Sequence, residues 1–215
     1  MHGTEMVKSP VIPDWLMERY SGSIESDWAK TGEGYAHWKA KVSDTANIRD
    51  GAVIEGFAEV CQWADIGEEA TICRNAKIGK GTFIEDDCSI GENCRIGEDC
   101  RIHSSLGNNV IVGDRTFIDE SGHEEIGDGC RFGDGVEVGI LHGIEEKVRV
   151  GQGTTIGYMP EIGPYVKIGE NCSIGDQVEI GQYAVIDSGV TIGRNATIAP
   201  GMHVTGDVEP FTVVS

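Results

Sequence analysis

Ile84-Glu85-Asp86-Asp87-Cys88-Ser89-Ile90-Gly91-Glu92-Asn93-Cys94-Arg95-Ile96-Gly97-Glu98-Asp99-Cys100-Arg101-Ile102 returns to isoleucine every six residues. Working outward, the same period runs back through Ile78, Ile72, Ile66, Val60, Ile54 and Ile48 to Val42 without a miss. A second run begins at Ile126 and continues through Phe132, Val138, Ile144, Val150 and so on to Ile198 and Val204, with Phe132 its one non-aliphatic member. The residue after the aliphatic is usually glycine. The fourth after it is usually small: Ala46, Ala52, Ala58, Ala64, Ala70 and Ala76, then Thr82, Cys88, Cys94 and Cys100. A period of six fits neither an α-helix nor a hairpin meander. It fits short strands joined by tight corners, with glycine expected to supply the backbone angles that a corner needs.

Units such as Ile90-Gly91-Glu92-Asn93-Cys94-Arg95 resemble the repeat of the bacterial hexapeptide-transferase superfamily, over roughly residues 36–209. That resemblance implies an all-β, left-handed parallel β-helix in which three hexads make one triangular coil of about 18 residues. It also implies association of three chains. Between the two runs, Val112 and Ile118 are taken as the intermediate rungs, which places four extra residues after Ile102 and two after Ile118. The expectation is 27 strands in nine coils, a prism about 43 Å tall at ~4.8 Å per coil. Irregular loops are expected at 103–111 and 119–125. Residues 1–35, with a short amphipathic helix within 11–20, are read as a cap or arm, and 210–215 as a tail.

The 36 acidic side chains outnumber the 17 basic ones, giving a formal charge of −19. Such a surface repels nucleic acid and anionic lipid unless a basic patch intervenes. No secretory signal is evident and no apolar run is long enough to span a bilayer. The odd number of cysteines, seven, suits reduced thiols. These features point to a cytoplasmic protein with neither nucleic-acid nor membrane partners. Cys88, Cys94, Cys100, Cys130 and Cys172 fall in the small inward slot and read as core, while Cys61 and Cys73 follow the aliphatic and belong nearer the surface. The Asp- and Glu-rich corners, such as Glu85-Asp86-Asp87, read as solvated turns.

Chemistry is sought where the repeat breaks. His103 opens one irregularity and His123 lies in the other, while His142 occupies a slot that elsewhere is small and apolar. Counting strands places His123 and His142 in corners one coil apart, with Glu124 as a carboxylate able to orient a ring. Hexapeptide acyltransferases use a histidine to deprotonate a hydroxyl or amine that attacks acyl-coenzyme A. The resemblance therefore assigns His142 as base, His123 as the second choice and Glu124 as orienting group. Arg131, Arg149 and Lys167 recur at 18 residues and should form an outward basic ladder suited to the phosphates of coenzyme A, or to acidic residues across a trimer interface. The implied protein is a homotrimeric acyltransferase acting on a small-molecule acceptor between subunits. Two other readings stay open: a non-catalytic trimeric scaffold, and a zinc enzyme like the γ-class carbonic anhydrases. The zinc reading is the less favoured, because His103, His123 and His142 are spaced by 20 and 19 residues rather than as a close pair.

Overall fold

The computed structural model describes residues 12–20, 28–119, 125–140 and 143–215. It is a parallel β-solenoid whose strands, most of them two residues long, stack lap upon lap on three faces. The first face runs from Lys41–Val42 to His203–Val204 in ten strands, and the second from Asn47–Ile48 to Thr191–Ile192 in nine. The third runs from Gly34–His37 to Val213–Val214 and is carried through its middle by single bridges at Leu106 and Ile126.

Each lap is tied to the next by the same pair of bonds. The amide of Lys77 donates to Cys94 O and that of Gly79 to Ile96 O, both at 2.9 Å. Inside, Ile54, Ile72 and Ile90 on one face, and Ile66, Ile84 and Ile102 on another, form buried ladders. The small slot interleaves between them: Ala52 to Ala76 in the first laps, then Val, Cys and Thr. Buried hydroxyls there are satisfied by the following lap, Thr82 donating to Gly97 O at 2.7 Å and Thr154 to Gly169 O at 2.8 Å.

The irregular middle differs from the expectation. Leu106 is a rung of the third face, bridged to Ile90 on one side and Ile126 on the other. The step from Ile102 to the next rung is therefore four residues, two short of a hexad, and not a hexad with four residues added. One lap is short by two, since Ile96 pairs with Val112 and Ile102 with Ile118. The next is long by two, since Val112 pairs with Phe132 and Ile118 with Val138. The deletion and insertion cancel, and the register resumes. Leu106, together with rungs at Ala36, Val208 and Val214 that lie outside the span counted from sequence (the last within the stretch read as a tail), gives about ten laps and a height of roughly 48 Å, one lap more than expected.

The glycines that directly follow the aliphatics do not supply the corner's backbone angles, contrary to expectation. Left-handed φ angles fall on the third residue after the aliphatic, held by Asn75, Asn93, Asn171 and Asn195 and also by Phe57, Trp63, Tyr165 and Tyr183. The glycines that directly follow the aliphatic are required by close approach. A Cβ on Gly79 would lie 2.1 Å from Gly97 O. The acidic corners are not simply solvated: Asp86 Oδ1 accepts the Glu68 amide and Asp114 Oδ1 the Glu98 amide, both at 2.8 Å, so carboxylates satisfy backbone donors of the preceding lap.

At the start, the helix Asp14–Arg19 packs Leu16 with Ile12, Trp28 and Val53 against the outside of the third face. The strands Trp28–Thr31 and Gly34–His37 pair antiparallel and occupy the open edge beside Val53–Ile54. No helix among the described residues is long and apolar enough to cross a membrane.

Two substitutions separate the two demands on glycine. Gly79→Ala places a methyl against backbone and should cost upward of about 2 kcal/mol. Gly135→Ala keeps a left-handed φ of 63° with open space around the new methyl and should cost about 1 kcal/mol. Urea unfolding midpoints of the two variants check the order.

Candidate functional site

The first face carries a charge pattern unlike the rest of the molecule. Register aligns, on its outer side, Lys41, Glu59, Lys77, Arg95, Ile111, Arg131, Arg149, Lys167, Val185 and His203. Six of the chain's 17 lysines and arginines thus share one stripe with a single acid, and Glu59 is already paired with Lys41 at 2.8 Å and Lys77 at 3.5 Å. Arg131, Arg149 and Lys167 stand on consecutive laps, exposed, as the 18-residue spacing requires. None of the three has a carboxylate within ion-pair distance among the described residues.

Beside this ladder is an aromatic shelf that the sequence reading missed. Tyr165 and Tyr183 occupy the same corner in successive laps, with ring centroids 5.0 Å apart and planes 17° from parallel. Lys147, one lap earlier, donates to the Tyr165 hydroxyl at 2.9 Å and lies 4.8 Å from that ring's centre. Lys147, Arg149, Tyr165, Lys167, Tyr183 and Val185 line a groove of about 360 Å³. The missed signal was the 18-residue recurrence of Lys147, Tyr165 and Tyr183 at the left-handed corner, where asparagine or glycine is the low-cost choice.

His142, His123 and Glu124 lie outside the described residues. The flanking strands nevertheless define where their segments begin and end. The chain leaves the second face at Phe117–Ile118 and rejoins the third at Ile126; one lap later it leaves at Glu137–Val138 and rejoins at Gly143–Ile144. Both segments connect the second face to the third.

His103 begins that same connection one lap earlier, directly after Ile102. Its ring is held edge-on between Phe83 and Phe117, with centroids at 5.8 and 5.4 Å. Nε2 is 3.6 Å from Glu85 and Nδ1 3.9 Å from Asp119. Arg49 completes the neighbourhood, bonded to Asp65 by two nitrogens at 3.0 and 2.9 Å and lying over Phe83. Phe83, Glu85, Arg101 and His103 line a broad groove of about 540 Å³. The ring is thus fixed by two aromatic edges, with a carboxylate facing each nitrogen. Sequence reading named His103 but placed it at the mouth of an insertion, because Leu106 was not recognised as a rung.

Among the described residues no group of three or more His, Cys, Asp or Glu is arranged to hold a metal ion. None of the seven cysteines forms a disulfide; Cys88, Cys94, Cys100, Cys130 and Cys172 are buried, and Cys61 and Cys73 are half-buried. Burial pushes the thiols of Cys94 and Cys130 up to about 11.

The family model of the bacterial transferase hexapeptide (six repeats) matches residues 70–105 and 171–206, one stretch in each regular run. The chain therefore carries that hexapeptide repeat. No curated protein sequence matches it. Among solved structures, a UDP-N-acetylglucosamine acyltransferase is similar at 18% identity and a TM-score of 0.44, over 83% of this chain and 67% of the other. The Arabidopsis UDP-N-acetylglucosamine acyltransferase gives 16% and 0.43, over 85% and 69%. A perosamine N-acetyltransferase from Caulobacter crescentus, in complex with CoA and GDP-perosamine, gives 15% and 0.30, over 85% of this chain and 52% of its own.

The raised thiols yield a test of the core. A thiol with a pKa near 11 is roughly one part in a thousand thiolate at pH 8, and the reactive thiolate fraction grows only as pH climbs toward that value. Cys94 and Cys130 should therefore stay unmodified by iodoacetamide in the native protein at pH 8. They should react fully in guanidinium, as read by peptide mass spectrometry.

Proposed function

We propose that this protein is an acyl-coenzyme A-dependent acyltransferase that acylates a hydroxyl or amine of a small acceptor, working as a homotrimer with its sites between copies. The observation that carries the reading is the placement of two half-sites. The basic ladder and tyrosine shelf belong to the first face and its border with the third. The histidine-bearing connection joins the second face to the third, and in a three-sided prism that edge lies opposite the first face. One chain cannot bring the two together. Three copies in a closed ring can set the basic face of each against the histidine edge of the next.

In this reading Arg131, Arg149 and Lys167 receive the phosphates of coenzyme A as point charges and forks. The flat shelf of Tyr165 and Tyr183 suits the adenine ring. His142 removes the proton from the attacking hydroxyl or amine, with His123 as the alternative base and Glu124 orienting the ring. The attacking oxygen or nitrogen forms the new ester or amide bond as the thioester carbon–sulfur bond breaks. The coenzyme A thiolate leaves, and the proton held by the histidine is returned to it or to solvent. His103, one lap earlier on the same edge with carboxylates 3.6 and 3.9 Å from its ring nitrogens, supports this reading.

Thiol release from acetyl-coenzyme A over a panel of amino- and hydroxy-sugars tests the reaction. His142→Ala should lower kcat by a factor of about 100 or more, with the solution mass unchanged. Arg149→Glu should raise the KM for acyl-coenzyme A and leave kcat nearly intact. Absence of acyl-coenzyme A consumption by the intact wild-type oligomer across several acyl groups and acceptors would overturn the reading.

A further inference from the structure

A second groove lies at the other end of the same border. It is lined by Tyr20, Trp28, His37, Lys39, Glu55, Gly56, Phe57 and Arg74 and measures about 200 Å³, the scale of a single small ring compound. From Phe57 to Tyr165 the corner is six laps, roughly 29 Å, so this groove is separate from the proposed coenzyme A site.

The groove combines rings with hydrogen-bond donors. Trp28 packs on Tyr20 at 4.9 Å and edge-on against His37 at 5.4 Å, and His37 stacks on Trp38. The Lys39 ammonium sits 4.9 Å from the Trp38 ring centre and 5.1 Å from that of Phe57, without a carboxylate within ion-pair distance among the described residues. Glu55, the one acid present, is already engaged by both oxygens: the Tyr20 hydroxyl donates to Oε1 at 2.8 Å and the Arg74 amide to Oε2 at 3.1 Å. Trp28 is 5% exposed, and its indole Nε1 is the one buried side-chain polar atom without a hydrogen bond among the described residues. On a chain of net charge −19, the groove thus offers cations and donors and has its carboxylate occupied.

Two further features are costly for folding alone. Phe57 holds a left-handed φ of 65° with 55% of its surface exposed, and Trp38 is 62% exposed. A bulky aromatic at a left-handed corner is strained where asparagine serves in neighbouring laps. Exposure of both rings forgoes the burial that usually offsets such strain.

We infer that this groove binds a small organic anion built on a ring, its negative group held by Lys39 and Arg74 and its body resting on Phe57. The site is independent of the acyltransferase reading, and its test uses no catalytic readout. Tryptophan fluorescence of the full-length protein would be titrated with benzoate, glucuronate and glucose 1-phosphate as probes. Glucose and inorganic phosphate serve as a ring without charge and a charge without a ring. At least one anionic ring should quench saturably with a Kd of roughly 1 mM or tighter, ten-fold or more tighter than either control. Lys39→Gln and Arg74→Gln should each weaken it several-fold. Phe57→Asn should abolish it while holding or raising the unfolding midpoint, which separates loss of a ligand platform from loss of fold. No saturable change with any anionic ring, equal response to the controls, or unchanged binding in Phe57→Asn and Lys39→Gln would overturn the site.

Discussion

The molecule depends on one constraint: each strand's two inner-lap amides must find carbonyls in the lap that follows. The pair made by Lys77 and Gly79 to Cys94 and Ile96 recurs down all three faces. With strands only two residues long, hardly any hydrogen bonding is local, and a lap has little stability without its neighbours. Side-chain placement is then quantised. A residue 18 positions away lies directly above, and a one-residue slip would turn the isoleucine ladder outward. The irregular middle obeys the same rule, since a lap short by two is followed at once by a lap long by two and the pairing of Val138 with Ile156 proceeds as before.

That rule made most of the architecture legible. Aliphatic periodicity locates the strands, the small slot locates the corners' inner side, and spacing alone aligns Arg131 with Arg149 and Lys167. It failed at Leu106, for an identifiable reason. Continuity was sought by adding residues to a hexad, whereas the chain deletes two, and Leu106-Gly107-Asn108-Asn109 restarts the repeat in the manner of Ile90-Gly91-Glu92-Asn93. The assignment of glycine to the turning position failed because sequence does not distinguish a residue that needs a positive φ from one that faces a carbonyl at van der Waals limit. Gly79 and Gly135 are examples of the two.

The candidate sites were legible in part. The ladder of cations shows in sequence because its members share one slot. The tyrosine shelf and the Phe57 groove do not, because their members come from different slots: a corner residue, a strand residue and, at the groove, the helix that brings Tyr20 to Glu55. His103 illustrates the same limit. Phe83 and Phe117 are its neighbours only because Ile84, Ile102 and Ile118 pair across laps of 18 and 16 residues.

Charge distribution follows from the same geometry. Corner carboxylates such as Asp86, Asp114 and Asp128 accept backbone amides from the preceding lap, so part of the acidity is structural and is fixed at the three edges. Flat faces are free of that duty. On the first face, where the residue after each aliphatic is mostly glycine, the long stems of Arg131, Arg149 and Lys167 project from a surface with little relief. Stacking like charges about 4.8 Å apart is unfavourable in isolation. The fold supplies acids freely elsewhere, yet among the described residues none pairs with Arg131, Arg149 or Lys167, so this repulsion stays uncompensated there.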